Sequence, residues 1–161
     1  MLKFCATFIV GVLLAHNALC NDLAHNAISE IDADIVFMRH ALAPGFGDPE
    51  NFLLSDCSTQ RNLSNIGQKQ AQKIGALLSS SQVQFDTVLS SYWCRCYDTA
   101  RLMSLGEVVR FSGLNSFFQG HVNKKETLLE LKNYFNEKPD ERIDLMVTHQ
   151  VVISAVTGIY T

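Results

Sequence analysis

Arg39-His40 stands at the end of the run Asp34-Ile35-Val36-Phe37-Met38-Arg39-His40-Ala41, and the same scheme of an apolar stretch followed by a basic residue occurs twice more. Thr87-Val88-Leu89-Ser90-Ser91 leads to Arg95, and Ile143-Asp144-Leu145-Met146-Val147-Thr148 leads to His149. Two guanidinium groups and two imidazoles gathered in one place have a definite chemistry. A planar guanidinium grips anionic oxygens through two parallel N–H donors, which lysine cannot do. A neutral imidazole is a competent nucleophile near pH 7. Together they suit a phosphoryl group, whose transfer depends on positioning and on charge stabilisation at its equatorial oxygens.

The elements that would position these residues are readable. Ile35 to Met38 is continuously apolar, with acids before it and the Pro44-Gly45 loop after it, as expected of a strand covered on both faces of a parallel sheet. In such sheets ligands bind outside the carboxyl ends of the strands, so Arg39, His40, Arg95 and His149 would face a common crevice. Residues 107–111 read as a further short strand. Ser64 is placed to cap a helix whose Gly67, Ala71, Ile74 and Leu78 share one face, with Gly67 and Ala71 allowing close approach to the sheet. Arg95 falls in the first turns of a second helix, where backbone N–H groups can also face an anion, and this helix should end near Leu105 with Gly106 as its left-handed cap. Residues 124–138 form an amphipathic covering helix with Leu128, Leu131 and Phe135 on one stripe, stopped by Pro139, and 151–157 form a short helix stopped by Gly158. Strands alternating with helices predict an α/β three-layer sandwich with a mostly parallel central sheet. The loop over 41–62 is long enough to expect a functional role.

Three strings in this chain resemble the histidine phosphatase superfamily, the phosphoglycerate-mutase-like proteins. Arg39-His40-Ala41 is similar to its Arg-His-Gly signature, Leu63-Ser64-Asn65-Ile66-Gly67-Gln68-Lys69-Gln70-Ala71 to its Leu-Ser/Thr-x-x-Gly-x-x-Gln-Ala helix, and Ser90 to Ala100 to its Ser-Ser-x-x-x-Arg-x-x-x-Thr-Ala segment. The resemblance runs from about Asp34 to the end. It implies a domain over 34–161 in which His40 is transiently phosphorylated, Arg39 and Arg95 bind the phosphoryl group, His149 hydrogen-bonds its oxygens, and no metal or organic cofactor takes part. Arg61 and Asn62 correspond to a region that touches substrate in relatives, although the residues alone fit a solvated arginine capping the loop equally well. The sequence ends at Thr161, twelve residues after His149, where related domains usually add another strand, so the expectation is either that the last edge strand is absent or that the chain is a shortened one.

Two departures concern the proton donor. Many relatives carry a catalytic Glu two residues after a Leu, where this chain has Ser116 after Leu114, and the acid-phosphatase branch has His-Asp where this chain has His149-Gln150. The remaining candidate general acids are Asp48, Glu50 and Asp56 in the long loop and Glu126 in the covering helix. His121 reads as a surface residue. The resulting expectation is an exported phosphatase acting on a small phosphorylated substrate through a phosphohistidine. The alternatives are a phosphoglycerate-mutase-type phosphotransferase, which export argues against, and an inactive phosphate-binding module.

Export is expected from the N-terminus. Lys3, the apolar run from Phe4 to Ala15 and Ala18-Leu19-Cys20 resemble a secretory signal peptide over 1–20, whose apolar run is too short for a comfortable span of about 20 residues, followed by a polar lead over 21–33. A periplasmic or secreted location follows, with an uncleaved membrane anchor as the alternative. The remaining chain holds one domain. A net charge of −3 with no basic block argues against nucleic-acid binding, and Cys-x-x-Cys and His-Glu-x-x-His spacings are absent. In an oxidising compartment Cys57 is expected to bridge either Cys94 or Cys96, which bracket Arg95, with three buried free thiols as the alternative.

Overall fold

The computed structural model describes residues 25–139 and 141–160. The leader expected over 1–20 lies outside them, and the lead segment, unpatterned in sequence, is helical over 25–30. Four parallel strands, β1 (Ile35–Arg39), β2 (Thr87–Ser90), β3 (Val108–Arg110) and β4 (Asp144–Thr148), lie in the order β1-β4-β2-β3. They alternate with α1 (Asn65–Ser80), α2 (Cys94–Met103), α3 (Lys124–Glu137) and α4 (Gln150–Thr157).

The order dictates the layers. Parallel crossovers are right-handed, so connections that advance across the sheet in one direction put their helices on one face, and a connection that returns puts its helix on the other. β1 to β2 to β3 advances, which sets α1 and α2 on one side; β3 to β4 returns, which sets α3 opposite. Side chains alternate accordingly along each strand. Val88, Leu145 and Val147 join Ala71 of α1 and Cys96, Ala100 and Met103 of α2 in one cluster, while Leu89 and Met146 join Leu131 of α3 and Val152 of α4 in the other. This is the α/β three-layer sandwich expected from the sequence.

Ser64 caps α1 as predicted, its hydroxyl accepting from the Gly67 N–H at 3.1 Å. The close approach at Gly67 is to a different partner, however. A Cβ there would lie 2.1 Å from the Leu42 carbonyl oxygen, so the glycine fits α1 against the loop leaving β1 rather than against the sheet. Gly75, one turn beyond Ala71, does the same against the Met103 backbone of α2. The cap of α2 also differs from expectation: the helix stops at Met103, and Ser104 takes the left-handed conformation (φ 54°) assigned to Gly106. Gly158 caps α4 at φ 72° as predicted.

Register brings the basic residues to one edge. Arg39 pairs with Thr148, and Ser90 with Val147. The His40 N–H then donates to Thr148 O, and the Ser91 N–H to Val147 O, both at 3.0 Å. His40, Ser91 and His149 therefore leave the sheet at one level, at its carboxyl edge.

Candidate active site

A cavity of about 250 Å³ opens at this edge, lined by Arg39, His40, Arg61, Arg95, Ser116, His149, Gln150 and the loop around Phe46. Four of these came from the strand ends and α2, as expected; Arg61 came from the long loop. Among its lining residues there is no carboxylate.

His40 is buried and held in one tautomer. Its Nδ1 lies 2.8 Å from the Ala41 carbonyl oxygen, which can only accept, so Nδ1 carries the proton and Nε2 the lone pair. The Ala41 N–H donates to Thr99 Oγ1 at 3.0 Å, and that hydroxyl donates to Arg95 O at 2.6 Å. Thr99 of the third motif thus ties the His40 loop to α2. Burial, together with the positive charges of Arg95, Arg39 and Arg61, lowers the His40 pKa from 6.5 to about 4. The imidazole is neutral at pH 7, the form that can act as a nucleophile.

His149 is buried and its tautomer is fixed through a relay the sequence did not reveal. The Tyr92 N–H donates to Asn115 Oδ1 at 2.9 Å, which identifies that atom as an acceptor. The Ser91 hydroxyl donates to the same oxygen at 3.1 Å, having thereby used its only proton. His149 Nε2, 3.0 Å from Ser91 Oγ, must then be the donor. Burial, and after it the Arg95 charge, holds the His149 pKa well below 6.5, so this N–H is its only proton. Cys96 Sγ lies 3.3 Å from the same nitrogen. Burial pushes that thiol up to about 12, which makes it a packing group and not a nucleophile.

Arg95 is fixed by Asp48. Nη1 and Nη2 donate to Oδ1 and Oδ2 at 2.7 and 3.1 Å, and the two side chains are only 4% and 3% exposed. Oδ1 also accepts the Arg61 N–H at 3.0 Å, and Oδ2 the Trp93 indole N–H at 2.9 Å. Burial acts to raise the Asp48 pKa, but the Arg95, Arg61 and Trp93 donors outweigh it and hold the carboxyl below its ordinary value of 3.8. An ionised, fully engaged carboxylate is not a proton donor at neutral pH, and Asp48 does not line the cavity. Glu126 does not reach it either, lying exposed in the first turn of α3. Glu50 is exposed, and Asp56 spends its carboxylate capping the turn at Cys57–Thr59. The Nε–H of Arg95 is buried and has no hydrogen-bond partner, a donor whose cost of about 1–3 kcal/mol an anion would remove.

The other loop residues serve the wall. Arg61 lines the cavity, but its Nε donates to Gly47 O at 2.8 Å and its Nη1 to Ala43 O, so it braces the loop. Asn62 donates to Cys57 O at 2.6 Å and stands outside the lining. Gln60, which carries no signal of a role in the sequence, takes the first N–H of α2, that of Cys94, at 2.9 Å. That donor is therefore spent on the loop and not on a ligand. Cys57 bridges Cys94, and Cys96 is a buried free thiol. His121 is exposed and stacks on Phe52, which stacks in turn on Trp93. Among the described residues no group of three His, Cys, Asp or Glu could hold a metal ion, and no helix is long and apolar enough to cross a membrane.

The model of the histidine phosphatase superfamily (branch 1) matches residues 35–142, from β1 to the approach to β4. Solved structures share the fold. A candidate phosphohistidine phosphatase SixA of Nakamurella multipartitia aligns with a TM-score of 0.52 at 21% identity, over 75% of this chain and 61% of that one. The protein histidine phosphatase SixA complexed with tungstate gives 0.55 at 17% identity over 79% and 81%. Phosphoglycerate mutase from Plasmodium falciparum gives 0.50 at 17% identity over 75% and 64%. The chain thus spans about three fifths of the length of the Nakamurella protein. No curated protein matches it.

Proposed function

The chain belongs to the histidine phosphatase superfamily, whose branch 1 model covers 35–142, and from that membership we propose that it is an exported phosphatase acting through a phosphohistidine on His40. The observation that carries the reading is the His40 tautomer: Nδ1–H is committed to the Ala41 carbonyl, which leaves the Nε2 lone pair for attack in a cavity with three arginines. Nε2 forms a bond to phosphorus as the bond to the leaving group breaks. The transferred group is held by Arg39 and by the unpaired Arg95 Nε–H; His149, expected to hydrogen-bond its oxygens, has its one N–H turned to Ser91 and none left for them. Water then attacks the phosphorus, the N–P bond breaks, and inorganic phosphate leaves with His40 neutral again.

Proton supply narrows the substrate. Each imidazole has one N–H, spent on Ala41 O or on Ser91 Oγ, and Ser116 and Gln150 stand where relatives have acids. A positioned acid is worth about 10²- to 10⁴-fold, so without one the favoured leaving groups are those that are stable as they depart. A phosphoramidate nitrogen belongs to that class, in keeping with the descriptions of two structural neighbours, one a phosphohistidine phosphatase and the other a protein histidine phosphatase. Export is supported by the apolar N-terminal run and by the Cys57–Cys94 bridge, a bond that persists in oxidising compartments.

Rapid-quench labelling with an aryl phosphate tests the mechanism. The wild type should accumulate an acid-labile, base-stable phosphoenzyme that His40→Ala lacks along with all turnover. Turnover in His40→Ala at the wild-type rate would remove the mechanism.

A further inference from the structure

The outer wall of the cavity is aromatic. Phe46 is 89% exposed and Phe118 37% exposed, and both line the cavity. Their rings meet edge to face with centroids 5.2 Å apart. A phenylalanine so open to water forgoes the burial that its side chain ordinarily seeks, yet the backbone that presents it is braced from several sides. Gly45 and Gly47 flank it at φ 98° and 67°, conformations glycine adopts without cost. Arg61 bonds the carbonyls of Ala43 and Gly47. From the facing loop, the Gln119 side chain accepts from the Asp48 N–H at 2.7 Å and donates to Asp48 O at 3.4 Å. A Cβ at Gly47 would lie 2.7 Å from that same amide. Gln119 itself sits at φ 64°, a left-handed conformation that side chains avoid unless the surroundings impose it, and such outliers gather at ligand sites.

We propose that Phe46 and Phe118 form a subsite for a planar ring bearing the phosphoryl group, so that the substrate class is an aryl-type phosphoryl compound rather than an alkyl phosphate. The inference deepens the phosphatase reading and rests on it for the position of the phosphoryl group. Two independent features converge. The exposed ring pair offers an apolar, quadrupolar face that prefers another aromatic ring to water, and the cavity behind it lacks a carboxylate to protonate a basic alkoxide. A phenolic oxygen or a ring nitrogen, whose charge is delocalised into the ring as it departs, needs no such proton. At about 250 Å³ the cavity is smaller than ordinary drug-sized pockets, with room for a phosphoryl group and a single ring.

Phosphonates cannot be hydrolysed, so they measure the subsite without turnover. Isothermal titration of the full chain with phenyl-, cyclohexyl- and methylphosphonate should show phenyl binding tighter than cyclohexyl by roughly three- to tenfold. That advantage should vanish in Phe46→Ala and in Phe118→Ala and return in Phe46→Trp. Equal affinities for the phenyl and cyclohexyl compounds, or an advantage that survives both alanine variants, would overturn the subsite while leaving the phosphatase intact. If none of the three phosphonates binds, the phosphoryl site and the subsite both fall. Loss of the phosphohistidine mechanism would instead show in the His40→Ala experiment and leave the ring preference untouched.

Discussion

Asp48→Asn separates a residue that holds Arg95 from one that protonates a leaving group. The substitution keeps the side-chain shape but replaces one acceptor oxygen by an NH₂ group, which in either orientation must face an N–H of Arg95 together with that of Arg61 or Trp93. It also strips the counter-charge from a guanidinium that is 4% exposed. Breaking one side of a buried pair costs about 3–5 kcal/mol. For a domain of this size that lowers the melting temperature by roughly 10–20 °C. Arg95→Gln should cost a similar amount, and the double variant should cost less than the two together, because a lone buried charge is no longer left behind. The pH dependence has a fixed sign. The folded pKa of Asp48 lies below its ordinary 3.8, so the stabilisation is complete above that value and is lost as pH falls through the folded pKa. Thermal scans of wild type and Asp48→Asn should therefore converge in acid. Kinetically, a misplaced Arg95 should weaken turnover of every substrate alike. A variant with the wild-type melting temperature that fails only on poor leaving groups would make Asp48 the general acid and refute the arrangement argued above.

Two further predictions rest on the same geometry. A chain beginning at Asn21 should titrate one free thiol in denaturant and three after reduction, and the Cys57–Cys94 closure, with a separation of 37 residues, should add about 4 kcal/mol to stability; three free thiols before reduction would exclude the bridge. Because burial and the neighbouring arginines lower the His40 pKa from 6.5 to about 4, the acid limb of kcat/KM, corrected for substrate ionisation, should fall near pH 4, and stability should rise with pH between about 4 and 6.5, where the unfolded chain binds the extra proton; an acid limb at 6.5 would mean that His40 is not the buried nucleophile.

The strands and the edge where their basic residues gather were legible because each strand is a continuous apolar run ended by a loop signal, a pattern local to about five residues. What escaped was set by contacts distant in sequence. Nothing around Asp48 announces that its carboxylate will meet Arg95, 47 positions away, nor does Gln60 announce that it will occupy the Cys94 N–H, 34 positions on. Ser64 was readable because its cap closes three residues later, within the helix start itself. The disulfide partner was undecided between Cys94 and Cys96, although residues two apart on a helix point to nearly opposite sides. Once α2 lies on the sheet, Cys96 is turned inward toward Thr148 and His149, and Cys94 is left for the loop. Glycine's freedom at 106 does not mark the cap, because the helix ends two residues earlier at Ser104, in a left-handed conformation that a serine accepts at modest cost.

The two histidines differ in how they are held, and the difference bears on the reaction. His40 is tied to its own neighbour, Ala41, whose carbonyl moves with it, so the tautomer that exposes Nε2 is a local property of the strand end. His149 depends on Ser91 at the end of β2 and on Asn115 after the turn at Ser112–Leu114, so its tautomer is set by three separate segments converging. Asn115 lies directly before Ser116, the position at which many relatives carry an acid. The segment that would deliver a proton in those relatives here delivers an amide oxygen that, through Ser91, draws the only proton of His149 inward. A neutral His149 with that proton withdrawn has none to give, either to a phosphoryl oxygen or to a departing group. The loss of the carboxylate and the withdrawal of the imidazole proton thus act in the same direction, and both leave the departing group to carry its own charge.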